Sequence, residues 1–162
     1  MNCPVCLRTL TSIKFGELEV DVCKGGCGGV WFDRFEFKQV DEPTEKIGEA
    51  LLKIERDPKI QVDFTAKRKC PKDQTLMMQH FSSSKRKVVI DECPKCAGVW
   101  LDVGELATIR NEYSSETERQ KAQQTYFSEV FGQQLKELEN KRKTKESMKN
   151  KIAQFMKELF TM

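Results

Sequence analysis

One motif occurs twice in this chain. Residues 20–37 read VDVCKGGCGGVWFDRFEF, and residues 90–106 read IDECPKCAGVWLDVGEL. Both copies run from a hydrophobic residue and Asp to two closely spaced cysteines, then to Gly-Val-Trp, a large apolar residue, Asp, and a Glu three positions later. About twenty residues upstream, each copy is preceded by a further Cys-Pro, at Cys3 and Cys70. A repeat this close predicts two similar structural units, and it constrains the fold more than any other feature of the sequence.

The cysteine spacing predicts a zinc ribbon in each copy. Two cysteine pairs separated by roughly fifteen to twenty residues are typical of a tetrahedral zinc site. The small residues after the second pair allow backbone N–H groups to approach the thiolates, and glycine adopts positive φ easily. Between the pairs we expect two β-hairpins. The first has strands over residues 7–14 and 18–22 with a turn at 15–17, and the second has strands over 76–81 and 87–92 with a turn at 82–85. A disulfide framework is less favoured, because seven cysteines is an odd number and no signal peptide is visible. The first site would be formed by four thiolates: Cys3, Cys6, Cys23 and Cys27.

The second copy has a different set of candidate ligands. It supplies three thiolates: Cys70, Cys93 and Cys96. Asp73 occupies the position that Cys6 holds in the first copy, and His80 is the only histidine of the chain. Seven residues of strand carry His80 about 23 Å beyond Asp73, so we rank Asp73 first as the fourth ligand, then His80, then water. We expect two zinc ions, the second held more weakly, although iron would also suit the four thiolates of the first site.

Each tryptophan is followed by an Asp and, three residues later, a Glu. Asp33 with Glu36 and Asp102 with Glu105 fit a capping box, in which the aspartate accepts from an N-terminal amide and the glutamate reaches back. We prefer this interpretation to catalytic carboxylates because it explains their position. It predicts short helices over residues 34–40 and 103–113. A third helix is expected in the linker, from Thr44 through Ile54.

This motif resembles the bacterial and archaeal zinc-ribbon family that is related to the ribbon of transcription factor IIB. The family pattern is Cys-Pro-x-Cys, a hairpin, and Cys-Pro-x-Cys-Gly-Gly-Val-Trp-Leu-Asp-x-x-Glu-Leu, and residues 3–37 and 70–106 match it. The chain departs from the pattern by one extra residue in the second cysteine pair of the first copy, by Asp73 in place of a cysteine and by Ala97 in place of a glycine. The resemblance implies zinc binding, and a regulatory or adaptor role related to transcription.

Composition is typical of a small metal-stabilised protein. Each ribbon of about forty residues is too small for a large apolar core, whereas a structural zinc contributes about 10–16 kcal/mol in ribbon-sized peptides. No apolar run reaches the length of a membrane span. Met1 and Asn2 lead directly into the metal site, so we expect a cytoplasmic protein without a targeting segment. The expected fold class is a small metal-stabilised α+β protein: two zinc ribbons, each a β-hairpin plus helix, with a helical linker and a long helical C-terminal tail.

The chain is predicted to have four parts. They are the first zinc ribbon with its following helix (1–40), a helical linker (41–66), the second zinc ribbon with its following helix (67–113) and a helical C-terminal tail (114–162). Apolar residues recur at helical spacing in two sections of the tail: Tyr126, Phe127, Val130, Phe131, Leu135 and Leu138, then Met148, Ile152, Phe155, Met156, Leu159 and Phe160. Gly132 would allow a kink, and residues 141–145 between the sections are basic. The tail is interpreted as a helix packing on the ribbons with a second one packing back, as a pair of helices that form a homo-oligomer, or as a basic amphipathic helix for a membrane surface or partner.

The sequence does not indicate an enzyme. With one histidine it has no Ser/His/Asp set, and it contains no nucleotide-binding glycine pattern. The leading hypothesis is a zinc-binding adaptor or transcription-related regulator that binds an unidentified protein partner. An alternative is nucleic-acid binding through the basic tip of the second hairpin, formed by Lys85, Arg86 and Lys87. A third is a redox or metal-handling protein with reactive thiolates.

Overall fold

The computed structural model of the protein describes residues 1–41 and 46–159. The chain forms two compact units, residues 1–118 and the residues from 119 onward. The strands are β1 (Thr11–Phe15), β2 (Leu18–Val22), β3 (Val30–Phe32), β4 (Met78–Phe81), β5 (Val89–Glu92) and β6 (Val99–Leu101). The helices are a 3-10 helix (Phe37–Gln39), α1 (Lys46–Leu51), α2 (Glu105–Arg110) and α3 (Glu116–Leu159).

The two ribbons share one antiparallel sheet. Its strand order is β1-β2-β3-β6-β5-β4. The pairs β1–β2 and β4–β5 are the hairpins of the first and second ribbon, and β3 pairs with β6 between them. At this joint Trp31 of the first ribbon lies opposite Trp100 of the second. The sequence repeat therefore becomes a sheet whose two halves have matching strand orders.

The two faces of the sheet are buried by different sets of residues. Because side chains alternate along a strand, Val30 and Phe32 of β3 belong to one apolar cluster and Trp31 belongs to another. The first cluster includes Leu51 of α1 and Leu106 of α2, so it is covered by the short helices. The second cluster contains both tryptophans and most of the cysteines. The candidate metal sites and the tryptophan pair therefore lie in the same layer.

Two glycines allow the ribbons to join. A Cβ atom on Gly98 would lie 2.1 Å from Cζ2 of Trp31, and one on Gly29 would lie 2.2 Å from Cζ2 of Trp100. Each tryptophan ring thus packs on the glycine of the other ribbon, at a distance that no larger residue permits. The Gly-Val-Trp sequence of one copy is complementary to that of the other.

The hairpins agree closely with the expectation from the cysteine spacing. The second strand of the first hairpin is found as predicted, at Leu18–Val22. Strands β1 and β4 begin four and two residues later than predicted, because isolated bridges from Asn2 to Thr9 and from Lys69 to Leu76 first close the metal knuckles. Strand β5 begins two residues later than predicted, at Val89. Strands β3 and β6 were not expected, since each has only three residues.

The short helices begin later than the sequence predicts. Between residues 34 and 40 only a 3-10 helix forms, because a turn closed by Glu36 N donating to Asp33 O (3.0 Å) comes first. The corresponding turn in the second ribbon delays α2 to Glu105. In the linker, α1 is observed over Lys46–Leu51, while Thr44, the expected first residue, lies outside the described residues.

The predicted helical tail is a single helix, α3. It contains 44 residues, which corresponds to a length of about 66 Å. Glu118 N donates to Ser115 Oγ at 3.2 Å, as a capping serine requires. The helix continues through Gly132 and through the basic residues 141–145, so the second section does not fold back as a separate helix. Phe160 and the side chains of Phe155 and Leu159 lie outside the described residues. Among the helices that the structure describes, none combines the length and the apolar character that crossing a membrane would need.

Candidate metal centres

The four cysteines of the first ribbon converge on one point. Their sulfur atoms all lie within 4.8 Å of one another, and the Sγ–Sγ distance is 3.4 Å both for Cys3–Cys27 and for Cys6–Cys23. A tetrahedral zinc ion with Zn–S bonds of about 2.3 Å places its sulfur ligands about 3.8 Å apart, whereas a disulfide needs an S–S distance of about 2.0 Å. The arrangement therefore fits a metal ion and not a pair of disulfides.

Burial and mutual contact oppose the simultaneous ionisation of these thiols. A shared hydrogen bond with Cys27, together with burial, raises the pKa of Cys3, and burial raises the pKa of Cys23 to about 11. Burial also acts to raise the pKa of Cys6, but hydrogen bonds from the backbone of Arg8 and from Cys23 outweigh it and lower the pKa to about 7. A divalent cation removes this conflict because it neutralises the thiolates, which couples metal binding to folding.

The second ribbon brings three cysteines and one aspartate together. The ligand atoms of Cys70, Asp73, Cys93 and Cys96 lie within 4.8 Å of one another. Cys70 Sγ is 3.7 Å from Cys96 Sγ, and the two carboxylate oxygens of Asp73 are 3.7 and 3.6 Å from Cys93 Sγ. Zinc accepts both thiolate sulfur and carboxylate oxygen in a four-coordinate site, so this donor set also fits the metal.

Asp73 replaces Cys6 on an unchanged backbone. The next residues, Leu7 and Gln74, both have a φ of 62°, so the two knuckles have the same conformation. Asp73 Oδ1 accepts a hydrogen bond from Thr75 N at 3.0 Å. This bond is the main cause that lowers the pKa of Asp73 to about 2, so the side chain is a carboxylate at neutral pH.

His80 lies outside the metal cluster. It is an exposed residue of strand β4, and its Nε2 atom is 2.7 Å from Glu92 Oε2. The strand carries it away from Asp73, as the sequence-based distance argument predicted.

The small residues after the second cysteine pair have a different role from the predicted one. Gly28 N donates to the carbonyl oxygen of Cys23 at 3.2 Å, and Ala97 N makes the equivalent bond at 2.9 Å. Both residues have positive φ, 83° and 55°. A thiol sulfur is reached instead by the amide of Val5, which lies 3.3 Å from Cys3 Sγ. The knuckles are therefore closed by backbone carbonyls, because the turn directs these N–H groups away from the sulfur atoms.

Two segments of the chain, residues 2–42 and 69–112, match the transcription factor zinc-finger family, in its zinc ribbon of the transcription factor IIB type. Together they cover just over half of the chain. The chain belongs to this family. Comparisons with curated proteins and with solved structures gave no match. Family membership and the two donor sets together identify a tandem zinc ribbon protein with two Zn²⁺ sites.

The two sites of this zinc ribbon protein are covered differently. After α1, the linker runs along the second knuckle of the first site, where Gly25 N donates to Glu55 O and Asp57 N donates to Gly26 O, both at 2.8 Å. Cys27 is 1% exposed beneath this cover. Its counterpart in the second ribbon, Cys96, is only half-buried. The first zinc is therefore enclosed more completely than the second, which the linker sequence did not indicate.

The aspartates after the tryptophans do not cap helices. Asp33 Oδ1 accepts from Trp31 Nε1 at 2.9 Å, and Asp102 Oδ1 accepts from Trp100 Nε1 at 2.7 Å. The other half of the predicted capping box is present, because Glu36 Oε2 accepts from Asp33 N at 2.6 Å and the second ribbon has the equivalent bond at 2.8 Å. The buried indole N–H needs an acceptor, and the carboxylate two residues away provides it.

The other carboxylate oxygen of each aspartate accepts a hydrogen bond from a basic side chain. Asp102 Oδ2 accepts from Arg68 at 2.7 Å in an ion pair whose side chains are 4% and 5% exposed. Asp33 Oδ2 accepts from Lys72 Nζ at 2.6 Å, and this contact with Asp33 raises the pKa of Lys72. Two of the cations at the base of the second hairpin, Arg68 and Lys72, are thus engaged within the protein.

The tip of the second hairpin is also engaged within the protein. Lys85 Nζ donates to Glu112 O at 2.7 Å and to Glu118 Oε1 at 2.6 Å, and it lies 4.2 Å from the ring centroid of Tyr113. The guanidinium of Arg86 lies 5.6 Å from the ring centroid of Phe81. Lys87 is exposed. The three residues predicted to bind nucleic acid are therefore neighbours in the structure, but Lys85 is held by the end of the second ribbon and by the first turn of α3.

Proposed function

We propose that both zinc ions have structural roles and that the protein acts without catalysis, as an adaptor that binds a protein partner through α3. A catalytic zinc needs an open coordination position beside its protein ligands. At each site of this protein, four side chains already surround one point. The zinc ions would then hold the shared sheet together, and the partner-binding surface has to be found elsewhere.

The observation that carries this proposal is the exposed apolar face of α3. Five large apolar side chains between residues 127 and 138 are 41–62% exposed: Phe127, Val130, Phe131, Leu135 and Leu138. Their three- and four-residue spacing places them on one side of the helix. Phe127 and Phe131 contact each other, with ring centroids 5.0 Å apart. An exposed apolar surface of this extent is typical of a protein interaction site.

Nucleic-acid binding by the second hairpin is a weaker candidate for a physical reason. A lysine that binds phosphate must exchange its existing contacts for the new one. Lys85 would have to give up a carboxylate, a carbonyl oxygen and an aromatic ring. Arg68 is buried in its ion pair with Asp102. These contacts make nucleic-acid binding at this hairpin the weaker candidate.

The experiment is a native purification of the tagged full chain, treated with nuclease, with variants of α3. In the test variant, Phe127, Phe131 and Leu135 are changed to Gln, which forms helices well. The matched control changes three exposed residues of the opposite side to Ala: Glu129, Gln133 and Lys136. We expect the wild type and the control to retain a protein partner that the test variant loses, with unchanged helix content by circular dichroism.

Three outcomes would contradict the proposal. A partner that disappears with nuclease indicates nucleic acid. A partner that the test variant retains excludes the apolar face of α3. A change in the sedimentation of the purified test variant alone, with no other protein present, indicates that the face binds a second copy of the chain.

A further inference from the structure

The turn after β3 holds an exposed aromatic residue in an unfavourable backbone conformation. Phe35 has a φ of 72°, in the left-handed region where a side chain clashes with the backbone. Its side chain is 68% exposed. By contrast Phe37, two residues later, packs against the core with its ring centroid 5.7 Å from that of Phe32. The backbone conformation therefore disfavours phenylalanine at position 35, and burial of the ring does not offset this cost.

The second ribbon shows what this turn requires. There the same position is Gly104, with a φ of 85°. The two turns are closed in the same way, by a hydrogen bond from the glutamate N–H to the aspartate carbonyl oxygen, at 3.0 Å in the first ribbon and 3.2 Å in the second. A turn with positive φ at its third residue favours glycine. The first ribbon thus has phenylalanine at the position where the second ribbon has glycine, the residue that suits the turn.

The exposed ring stacks with its neighbour Arg34, and the turn that carries it is fixed at its first residue. The turn begins at Asp33, which is fixed by Trp31 and by Lys72. The guanidinium of Arg34 lies 4.6 Å from the centroid of the Phe35 ring. An aromatic side chain with few accessible conformations loses little entropy when a partner covers it. An outlier of this kind, with no structural benefit, points to a function for the side chain.

We propose that Phe35 and Arg34 form a docking surface for a protein segment that presents an apolar side chain next to carboxylates. Aromatic and arginine side chains carry much of the binding energy in protein interfaces. Arg34 and Lys38 are both exposed and lie on either side of Phe35 in the chain, so they favour an acidic partner. The acidic residues of the turn are engaged within the protein, because Asp33 accepts from Lys72 and Glu36 accepts from Asp33 N.

The proposal rests on the proposed function only in taking the partner to be a protein, and it concerns other residues than the face of α3. The probe is a displayed library of random peptides, selected on the full zinc-loaded chain. We expect the selected peptides to share an aromatic or aliphatic residue beside Asp or Glu. Phe35→Gly should weaken their binding about thirtyfold. Phe35→Trp should retain the binding because it keeps an aromatic ring.

The stability of the variants separates a binding role from a structural one. Because glycine suits this turn, Phe35→Gly should unfold at the same denaturant concentration as the wild type or at a higher one. The matched control is Leu7→Gln, which removes another exposed apolar residue with positive φ and introduces the residue of the second ribbon. It should leave peptide binding unchanged.

The following results would overturn the proposal. The selected peptides contain no acidic residues, or they bind the wild type and Phe35→Gly equally. Peptide binding that is weakened as much by Leu7→Gln as by Phe35→Gly would indicate nonspecific adhesion. Unfolding of Phe35→Gly at a lower denaturant concentration would show that the ring serves the fold. Binding of labelled single-stranded DNA or RNA that depends on Phe35 would assign the surface to nucleic acid. None of these results depends on the α3 variants, so either proposal can fail alone.

Discussion

Replacing Gly98 by alanine is expected to open the joint between the two ribbons. The added Cβ would lie 2.1 Å from Cζ2 and 2.6 Å from Cη2 of Trp31, and 3.0 Å from the carbonyl oxygen of Phe32. Carbon atoms in contact prefer separations of about 3.5–4.0 Å, so the ring has to move by roughly 1.5 Å. Trp31 is fully buried in the layer shared by both ribbons, so its neighbours have to adjust when the ring moves.

The expected loss in the free energy of unfolding lies between two limits. If the ring shifts and its neighbours adjust, overpacking costs about 1–3 kcal/mol. If the ring is expelled, about 150–250 Å² of buried surface is lost, which corresponds to about 4–6 kcal/mol. We therefore expect Gly98→Ala to lower the free energy of unfolding by about 3 kcal/mol. Gly132→Ala is the control, because no atom lies within 4 Å of its Cβ and alanine favours the helix by about 1 kcal/mol.

The assay is urea unfolding with zinc in excess, so that metal loss does not contribute. A double mutant tests the cause, since in Trp31→Leu the added methyl group meets a smaller side chain. In that background Gly98→Ala should cost less than about 1 kcal/mol. The reasoning is refuted if Gly98→Ala unfolds like the wild type, or if its cost is the same with and without Trp31.

Two further predictions concern the metal and the pH dependence. Native mass spectrometry should find two zinc ions in the wild type and in His80→Ala, but only one in Asp73→Ala. In Asp73→Cys, a chelator should remove the second ion more slowly than in the wild type. Loss of the second ion in His80→Ala would contradict this ligand set. Burial, followed by the charges of Asp102 and Asp91, raises the pKa of Glu105 from 4.5 to about 7, while Arg68 and the Asp102 N–H oppose this. The folded state then binds the proton more tightly, so its stability falls as the pH rises. In urea unfolding at saturating zinc, the free energy of unfolding of Glu105→Gln relative to the wild type should rise by about 2 kcal/mol from about pH 5.5 to about pH 8. A difference between the two proteins that does not change with pH would be inconsistent with the raised pKa of Glu105.

The metal sites were predictable because their spacing has few physical solutions. Two cysteine pairs on either side of a short apolar segment require a hairpin to meet at one ion, and both hairpins are present. Asp73 was identified because the repeat aligned it with Cys6. His80 was ranked below Asp73 on strand length alone, and it lies on β4 beside Glu92.

The joint between the ribbons was not predictable from local sequence. Val30–Phe32 and Val99–Leu101 are too short to show a strand pattern, and each pairs with a segment far away in the chain. The prediction that Asp33 and Asp102 cap helices was wrong for a related reason. A capping residue and an acceptor for the indole N–H occupy the same position in sequence, and only the packed tryptophan distinguishes them. In the same way, the charge of Lys85 is visible in the sequence, whereas its contact with Glu118 depends on the fold.

The two copies are identical at the glycine and the tryptophan through which they pack on each other. The Gly-Val-Trp sequence and the following Asp and Glu are identical in both, and each tryptophan packs on the glycine of the other copy. A change on either side of this joint would leave the opposite residue without its partner, so the joint constrains both copies together. No such reciprocal contact applies to Asp73 and Cys6, or to Phe35 and Gly104, which occupy equivalent positions with different chemistry. These are the positions at which one ribbon can acquire a property that the other lacks. The fold explains the agreement between the copies, and function has to be sought in their differences.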